Sequence, residues 1–284
     1  MDAGARLAGR RTVKPTAFDY IRVDSADEAV ALLAEHGDDA RILAGGQSLM
    51  PMLNMRLAQP RVLVDISRAA DLAEIRRDSE ALAIGAAVTQ ATVQRRAQLA
   101  REVPILTQAF PHLGHFQTRN RGTVCGSIAH ADPSAELPLC LTVLDGEIVL
   151  RSQSARRTVP AGKFFRGVMA TAREPTEIVE EVRFPLSRDS ERYGFAEIAL
   201  RHGDFALVAL AAVVSKTEIR LGVGGVADRP WLQRLPRLAG AELDAALNQL
   251  AWDLDARDDQ HASAAYRRHQ VRILGRRLIE RLRD

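Results

Sequence analysis

Cysteine is scarce in this sequence of 284 residues. Cys125 and Cys140 are the only two, and they do not form a Cys-x-x-Cys pair. Two thiols cannot supply a four-cysteine iron–sulfur cluster or an all-cysteine zinc site. A disulfide framework is equally disfavoured, which fits a reducing compartment. Lysine is nearly missing as well, occurring as Lys14, Lys163 and Lys216, so arginine carries the basic charge. The formal net charge is only +3, and the arginines are interspersed with acids except along the C-terminal helix. That pattern does not suit a nucleic-acid-binding surface. No apolar run approaches the ~20 residues of a membrane span. Residues 1–12 are small, polar and arginine-containing, without the apolar centre of a signal peptide. They read as a flexible arm, and the expected location is the cytoplasm.

Catalytic groups are equally sparse. No Ser, His and Asp set reads as a nucleophilic triad, and no carboxylate pair reads as a general acid and base. His112 and His115 form a His-x-x-His pair beside Gly114, but without a nearby carboxylate pattern a loop role is the better reading. No catalytic residue and no metal ligand is assigned. Such a chain suits a protein whose cofactor carries the chemistry.

What is present is a pair of small-residue stretches. The first is Leu43-Ala44-Gly45-Gly46-Gln47-Ser48-Leu49. It follows a short apolar strand, 40–44, and leads into a helix read over 49–57, with Ser48 as N-cap and Pro51 tolerated in the first turn. A strand at 61–66 completes the unit. This turn lacks the Gly-Lys-Ser/Thr of a P-loop and the third glycine of a dinucleotide fingerprint. The second stretch runs through Gly122, Thr123, Val124, Cys125, Gly126 and Ser127 to Ala131-Asp132-Pro133. Its glycines and hydroxyls read as a loop whose backbone N–H groups could converge on an anion. A third run, Gly222-Val223-Gly224-Gly225, follows a strand but precedes the turn Ala227–Pro230, so it reads as a decoy.

The rest of the chain gives an α+β pattern. Ser25 and Glu28 form a capping box for a helix that ends at His36-Gly37. Strands are expected at 72–75, 81–85, 147–151, 177–184, 192–199 and 216–223, and 205–214 reads as strand or helix. Helices are expected at 88–99, 105–113, 240–252 and 263–283, with a loop at 161–167. The last helix places Arg267, Arg268, Arg272, Arg276, Arg277 and Arg281 on a side expected to face solvent.

The two small-residue stretches, in this order, resemble the two FAD motifs of the molybdenum hydroxylases. More closely, residues 13 to 284 resemble the separate FAD-binding medium subunit of the xanthine dehydrogenase and carbon monoxide dehydrogenase family. The stretches 196–206 and 224–230 agree with that family's C-terminal domain. The resemblance implies an α+β fold: a two-subdomain FAD-binding fold of PCMH type (subdomains 13–66 and 67–187) followed by a small α+β C-terminal domain, 188–284. It implies FAD held by Leu43 to Leu49 on one side and Gly122 to Ser127 on the other. Glu136 and Val179 match positions that contact the cofactor. Cys125 departs from the family's usual glycine and fits if its φ is negative. The implied role is electron transfer from 2Fe-2S clusters in a small subunit, through FAD, to an external acceptor, while a large molybdopterin subunit oxidises the substrate. A dimer of heterotrimers is the implied assembly. The alternatives are a free-standing flavin oxidoreductase of the same fold and a nucleotide-binding scaffold without redox chemistry.

Overall fold

A computed structural model describes residues 15–283, so the arm expected at 1–12 lies outside the described residues. The first unit contains β1 (Asp19–Arg22), α1 (Ala26–His36), β2 (Ala40–Leu43), α2 (Leu49–Asn54) and β3 (Val62–Asp65). Its three strands are parallel, in the order β1-β3-β2. Ser25 caps α1 by accepting from the Glu28 N–H, and Gly37, at φ +52, ends it. The Glu28 carboxylate reaches one residue further back than a capping box requires, to the Asp24 N–H. Helix α2 is shorter than the expected 49–57, and the Ser48 hydroxyl makes no capping bond.

The second unit opens with β4 (Ile75–Arg77) and β5 (Ala81–Gly85). Leu72 falls in a preceding 3₁₀ turn rather than in the strand. Short helices follow: α3 (Gln90–Gln94), α4 (Leu99–Glu102), α5 (Pro104–Ala109), α6 (Phe116–Arg121), α7 (Val124–His130) and α8 (Glu136–Val143). The helix expected at 88–99 is therefore interrupted, although Thr89 caps α3 as its sequence suggests. Then come β6 (Glu147–Arg151), β7 (Arg156–Pro160), the single turn α9 (Ala161–Phe164), the small hairpin β8 (Phe165–Gly167) with β9 (Ala170–Thr171), and β10 (Ile178–Pro185). Residues 161–167, expected as a loop, are thus helix and strand. Five of these strands form an antiparallel sheet in the order β4-β5-β10-β6-β7.

The third unit is an antiparallel meander of β11 (Arg192–Ala199), β12 (Ala206–Val214), β13 (Glu218–Gly224) and β14 (Trp231–Pro236), followed by α10 (Gly240–Asp253) and α11 (Ala264–Arg281). Strand β14 was not foreseen: its sequence, Trp-Leu-Gln-Arg-Leu-Pro, follows a turn and has weak alternation. All nine residues of β12 are buried. Val208, Leu210, Ala212 and Val214 pack with Leu243, Leu247, Val271 and Leu278 of the terminal helices. Ala209, Ala211 and Val213 join the larger core shared with the first two units. A strand covered on both faces loses the polar alternation that marks a half-exposed one, which is why 205–214 could not be told from a helix.

The basic side of α11 is not uniformly solvated. Arg267 is buried, donates to the carbonyls of Leu207 and Gly225, and pairs with Asp259.

Candidate cofactor-binding site

The glycine turn leaves the carboxyl end of β2, where ligands of parallel sheets characteristically lie. Gly46 takes φ +71, a backbone that L side chains rarely adopt. Gly45 approaches the α6–α7 junction so closely that a Cβ there would lie 2.1 Å from the Arg121 carbonyl oxygen and 2.6 Å from the Gly122 Cα. The two small-residue stretches, about 75 residues apart in sequence, are thus pressed backbone to backbone.

The second stretch is not the loop its glycines suggested. Gly122 and Thr123 cap the end of α6 and the start of α7, and Val124 to His130 form the whole of α7. The Thr123 hydroxyl caps α7 by accepting from the Gly126 N–H at 2.9 Å. Ala131, at φ +53, ends it. Cys125 therefore sits in the first helical turn, a conformation any residue can take, and not in a tight turn. Its thiol donates to the Ile84 carbonyl at 3.2 Å, and burial pushes its pKa well up.

Between the stretches lies a cleft of about 930 Å³. Ala44, Gly45, Gly46, Gln47, Ser48, Leu49, Gly122, Thr123, Cys125, Gly126, Ser127, Glu136 and Val179 all line it. Two of the expected residues do not: Leu43 faces a second cavity, and Val124 is fully buried in the core. The backbone N–H groups of Gly45, Gly46, Gln47 and Ser48 have no acceptor among the described residues, and neither do the hydroxyls of Ser48 and Ser127. Unspent donors gathered on one wall suit an anionic ligand rich in acceptor oxygens.

Several lining groups escaped the sequence reading. Arg41, on β2, and Arg173 both face the cleft. Burial, and then the neighbouring Arg41 guanidinium, lower the pKa of Arg173. A pair of like charges held together favours an anion between them. Gln90, 5% exposed, keeps its Oε1 without a partner at the edge of Gly122. An isolated Arg or Gln has no pattern to reveal it; only the fold brings these to the cleft. Gly203, Asp204, Phe205 and Ala206 line the cleft from the third unit, and so do Gly225 to Asp228. The run dismissed as a decoy therefore borders the site. Gly222 and Gly224 serve packing, since a Cβ on either would press against Leu139 of α8.

Glu136 opens α8 and is nearly buried. Burial, and then the charge of Glu197, raise its pKa to about 8. Burial raises that of Glu197 to about 7, and one of its carboxylate oxygens has no partner. Glu136 is thus predominantly protonated at neutral pH and can donate a hydrogen bond into the cleft. His112 packs its ring on Phe195, with centroids 5.4 Å apart, and His115 abuts Gly203.

Residues 16–187 match the family model described as the FAD binding domain in molybdopterin dehydrogenase. The chain is 36% identical to 6-hydroxypseudooxynicotine dehydrogenase complex subunit alpha of Paenarthrobacter nicotinovorans, over 94% of this chain and 95% of that one. It is also 36% identical to the nicotine 6-hydroxylase medium subunit of the same organism, over 94% and 98%. Among solved structures, a chain of carbon monoxide dehydrogenase from Hydrogenophaga pseudoflava, in a form lacking the Mo-pyranopterin moiety of its cofactor, superposes with a TM-score of 0.87. The two chains are 30% identical, with 94% and 97% covered.

Proposed function

This chain belongs to the family of FAD-binding subunits of molybdopterin dehydrogenases, and from that premise we propose that it is the electron-transfer subunit of a molybdenum-containing hydroxylase or dehydrogenase complex. One observation carries the reading: two small-residue turns meet backbone to backbone at Gly45 and Gly122, and the donors of the first line a cleft large enough for a dinucleotide. The residues fit FAD. The N–H groups of Gly45 to Ser48 and the Ser127 hydroxyl would hold the pyrophosphate, with Arg41 and Arg173 offsetting its charge. Glu136 would donate to a polar group of the cofactor, and Val179 would supply an apolar wall. The flavin, when bound, supplies a carrier that accepts electrons singly and releases them in pairs.

The remaining roles follow from that assignment. The electrons come from 2Fe-2S clusters of a small partner subunit, and a large molybdopterin subunit oxidises the substrate. The flavin passes the electrons to an external acceptor. The assembly is a dimer of heterotrimers, and its location is the cytoplasm; no described helix is long and apolar enough to cross a membrane. The units at 13–66, 67–187 and 188–284 act as two walls of the FAD cleft and a C-terminal domain that closes one end of it.

The test is reconstitution. The purified chain should carry FAD and oxidise no organic substrate alone. Mixed with the large and small subunits, its flavin should bleach when substrate is added, and leaving out the small subunit should keep it oxidised. Rapid bleaching of the isolated chain by the complex's substrate would instead establish the free-standing oxidoreductase. Purified protein that neither contains nor takes up flavin would leave the scaffold reading.

A further inference from the structure

Buried carboxylates in this chain are matched by cations, with one exception. Among the described residues Asp65, Glu102, Glu177, Glu180 and Glu181 each form an ion pair with an arginine. Glu136, 7% exposed, forms none, and its carboxyl bonds to no other residue although it borders the cofactor cleft. Beside it, on β11, Glu197 keeps one carboxylate oxygen buried and unpartnered. The two come from different units, α8 and the third-unit meander, and the buried Cys140 thiol lies within the field of both. Asp132, the other acidic group near Glu136, accepts from the Ser134 N–H.

The cations that border the cleft are spent elsewhere. Arg41 and Arg173 donate to backbone carbonyls, Arg257 pairs with Asp255, and Arg267 pairs with Asp259. His130 and His261 border it as well, and neither bonds to Glu136 or Glu197. A carboxyl taken out of water without a cation favours its protonated form. Burial and the charge of Glu197 accordingly raise the pKa of Glu136 to about 8, and burial raises that of Glu197 to about 7. Two such groups side by side bind protons as a unit rather than singly. The pair is a poor neighbour for a diphosphate, which the N–H groups of the glycine turn suit far better. It suits the ring end of FAD, where charge changes when electrons arrive.

We infer that the Glu136–Glu197 pair binds one proton from solvent when the cofactor gains two electrons, and returns it when the acceptor removes them. The inference rests on the function proposed above and deepens it by giving these two carboxyls a part in electron transfer. Charge balance supplies the reason. Iron–sulfur clusters pass electrons without protons, and two electrons with one proton leave the cofactor one negative charge richer. A second proton, added to a carboxylate oxygen of the pair, cancels that charge in a cleft whose low dielectric makes it costly. In the protein only an O–H bond is made, and it is broken again when the electrons leave.

The experiment is a redox titration of the FAD-loaded full-length chain, read by flavin absorbance across acidic to alkaline pH. The wild type is compared with the double variant Glu136→Gln with Glu197→Gln. Below about pH 6 both carboxyls are protonated in either redox state, so the two potentials should fall with the same slope. Above about pH 7 the wild type should fall more steeply, by up to a further tenfold in the reduction equilibrium per pH unit, about 30 mV for a two-electron couple. In that range the reduced-minus-oxidised infrared difference spectrum should gain protonated-carboxyl absorption in the wild type only. Glu197→Gln alone leaves the cleft wall intact and removes the like charge beside Glu136, so the steeper slope should begin at lower pH. Parallel slopes at every pH for the wild type and the double variant overturn the inference, as does an onset that Glu197→Gln does not move. If the double variant loses FAD, the Glu197→Gln onset decides. A wild-type chain that holds no FAD overturns the proposed function instead, before any potential is read.

Discussion

Gly45 and Arg121 stand so close that no side chain fits between them: a Cβ on Gly45 would come within 2.1 Å of the Arg121 carbonyl oxygen. That carbonyl belongs to backbone at the end of α6 and cannot swing aside as a side chain would. Gly45→Ala should therefore force the two turns apart. The expected result is a chain with reduced FAD content and a lowered melting temperature. Wild-type values for both would show that the turns do not act as a pair.

Gly46 and Gly126 differ from Gly45 and from each other. Gly46→Val places a β-branched residue at φ +71, while Gly126→Val drives a Cβ to within 2.7 Å of the Thr123 hydroxyl that caps α7. Both variants should fold, judged by circular dichroism, and purify without flavin. Full FAD occupancy in both would remove these turns from the cofactor site.

The Thr123 cap predicts a smaller, separable effect. Thr123→Ala leaves the Gly126 N–H without its acceptor, which should destabilise the flavin-free chain by about 1 kcal/mol. Thr123→Ser keeps an oxygen in place and should recover most of that loss. Urea titrations of the two variants decide it: equal midpoints would mean the hydroxyl does not cap in solution.

Much of this site was legible from residue types alone, because glycines and small hydroxyl residues advertise close backbone approach. The first turn was read correctly from Gly45-Gly46 following an apolar strand. The second lines the same cleft but was misread as a loop. Thr123 is an N-cap, and a glycine at 126 is tolerated inside a short helix that packing holds in place. Arg41, Arg173 and Gln90 left no trace in the sequence, since each reaches the cleft only through tertiary structure. Strand β14 was missed for a related reason: its pairing with β13 from Trp231 to Pro236 supplies what a weakly alternating sequence does not.

The flavin should be held without a covalent bond. The Cys125 thiol is spent on the Ile84 carbonyl and, like that of Cys140, is pushed far above neutrality by burial. Neither can present a thiolate to the flavin ring. Acid precipitation should release all the flavin as FAD, and colour retained in the pellet would refute this.

Glu136 gives the chain a pH dependence of definite sign. Its folded pKa, raised to about 8, lies above its ordinary value of 4.5. Between those limits the folded chain holds a proton that the unfolded chain releases. Stability from this group is therefore complete below about pH 4.5 and lost as pH rises through about 8. Glu197, raised to about 7, adds a slope of the same sign that begins to level off earlier. Glu136→Gln supplies a neutral side chain of the same shape at every pH. It should match the wild type under acidic conditions and exceed it in melting temperature above about pH 8. The Glu197 slope should survive in that variant and disappear in the double variant with Glu197→Gln. FAD affinity should follow the same course, because an ionised Glu136 can no longer donate a hydrogen bond and would add negative charge to a cleft proposed to hold a pyrophosphate. Melting and FAD-binding curves that run parallel for wild type and Glu136→Gln from acidic to alkaline pH would show that the carboxyl is not protonated in the folded chain.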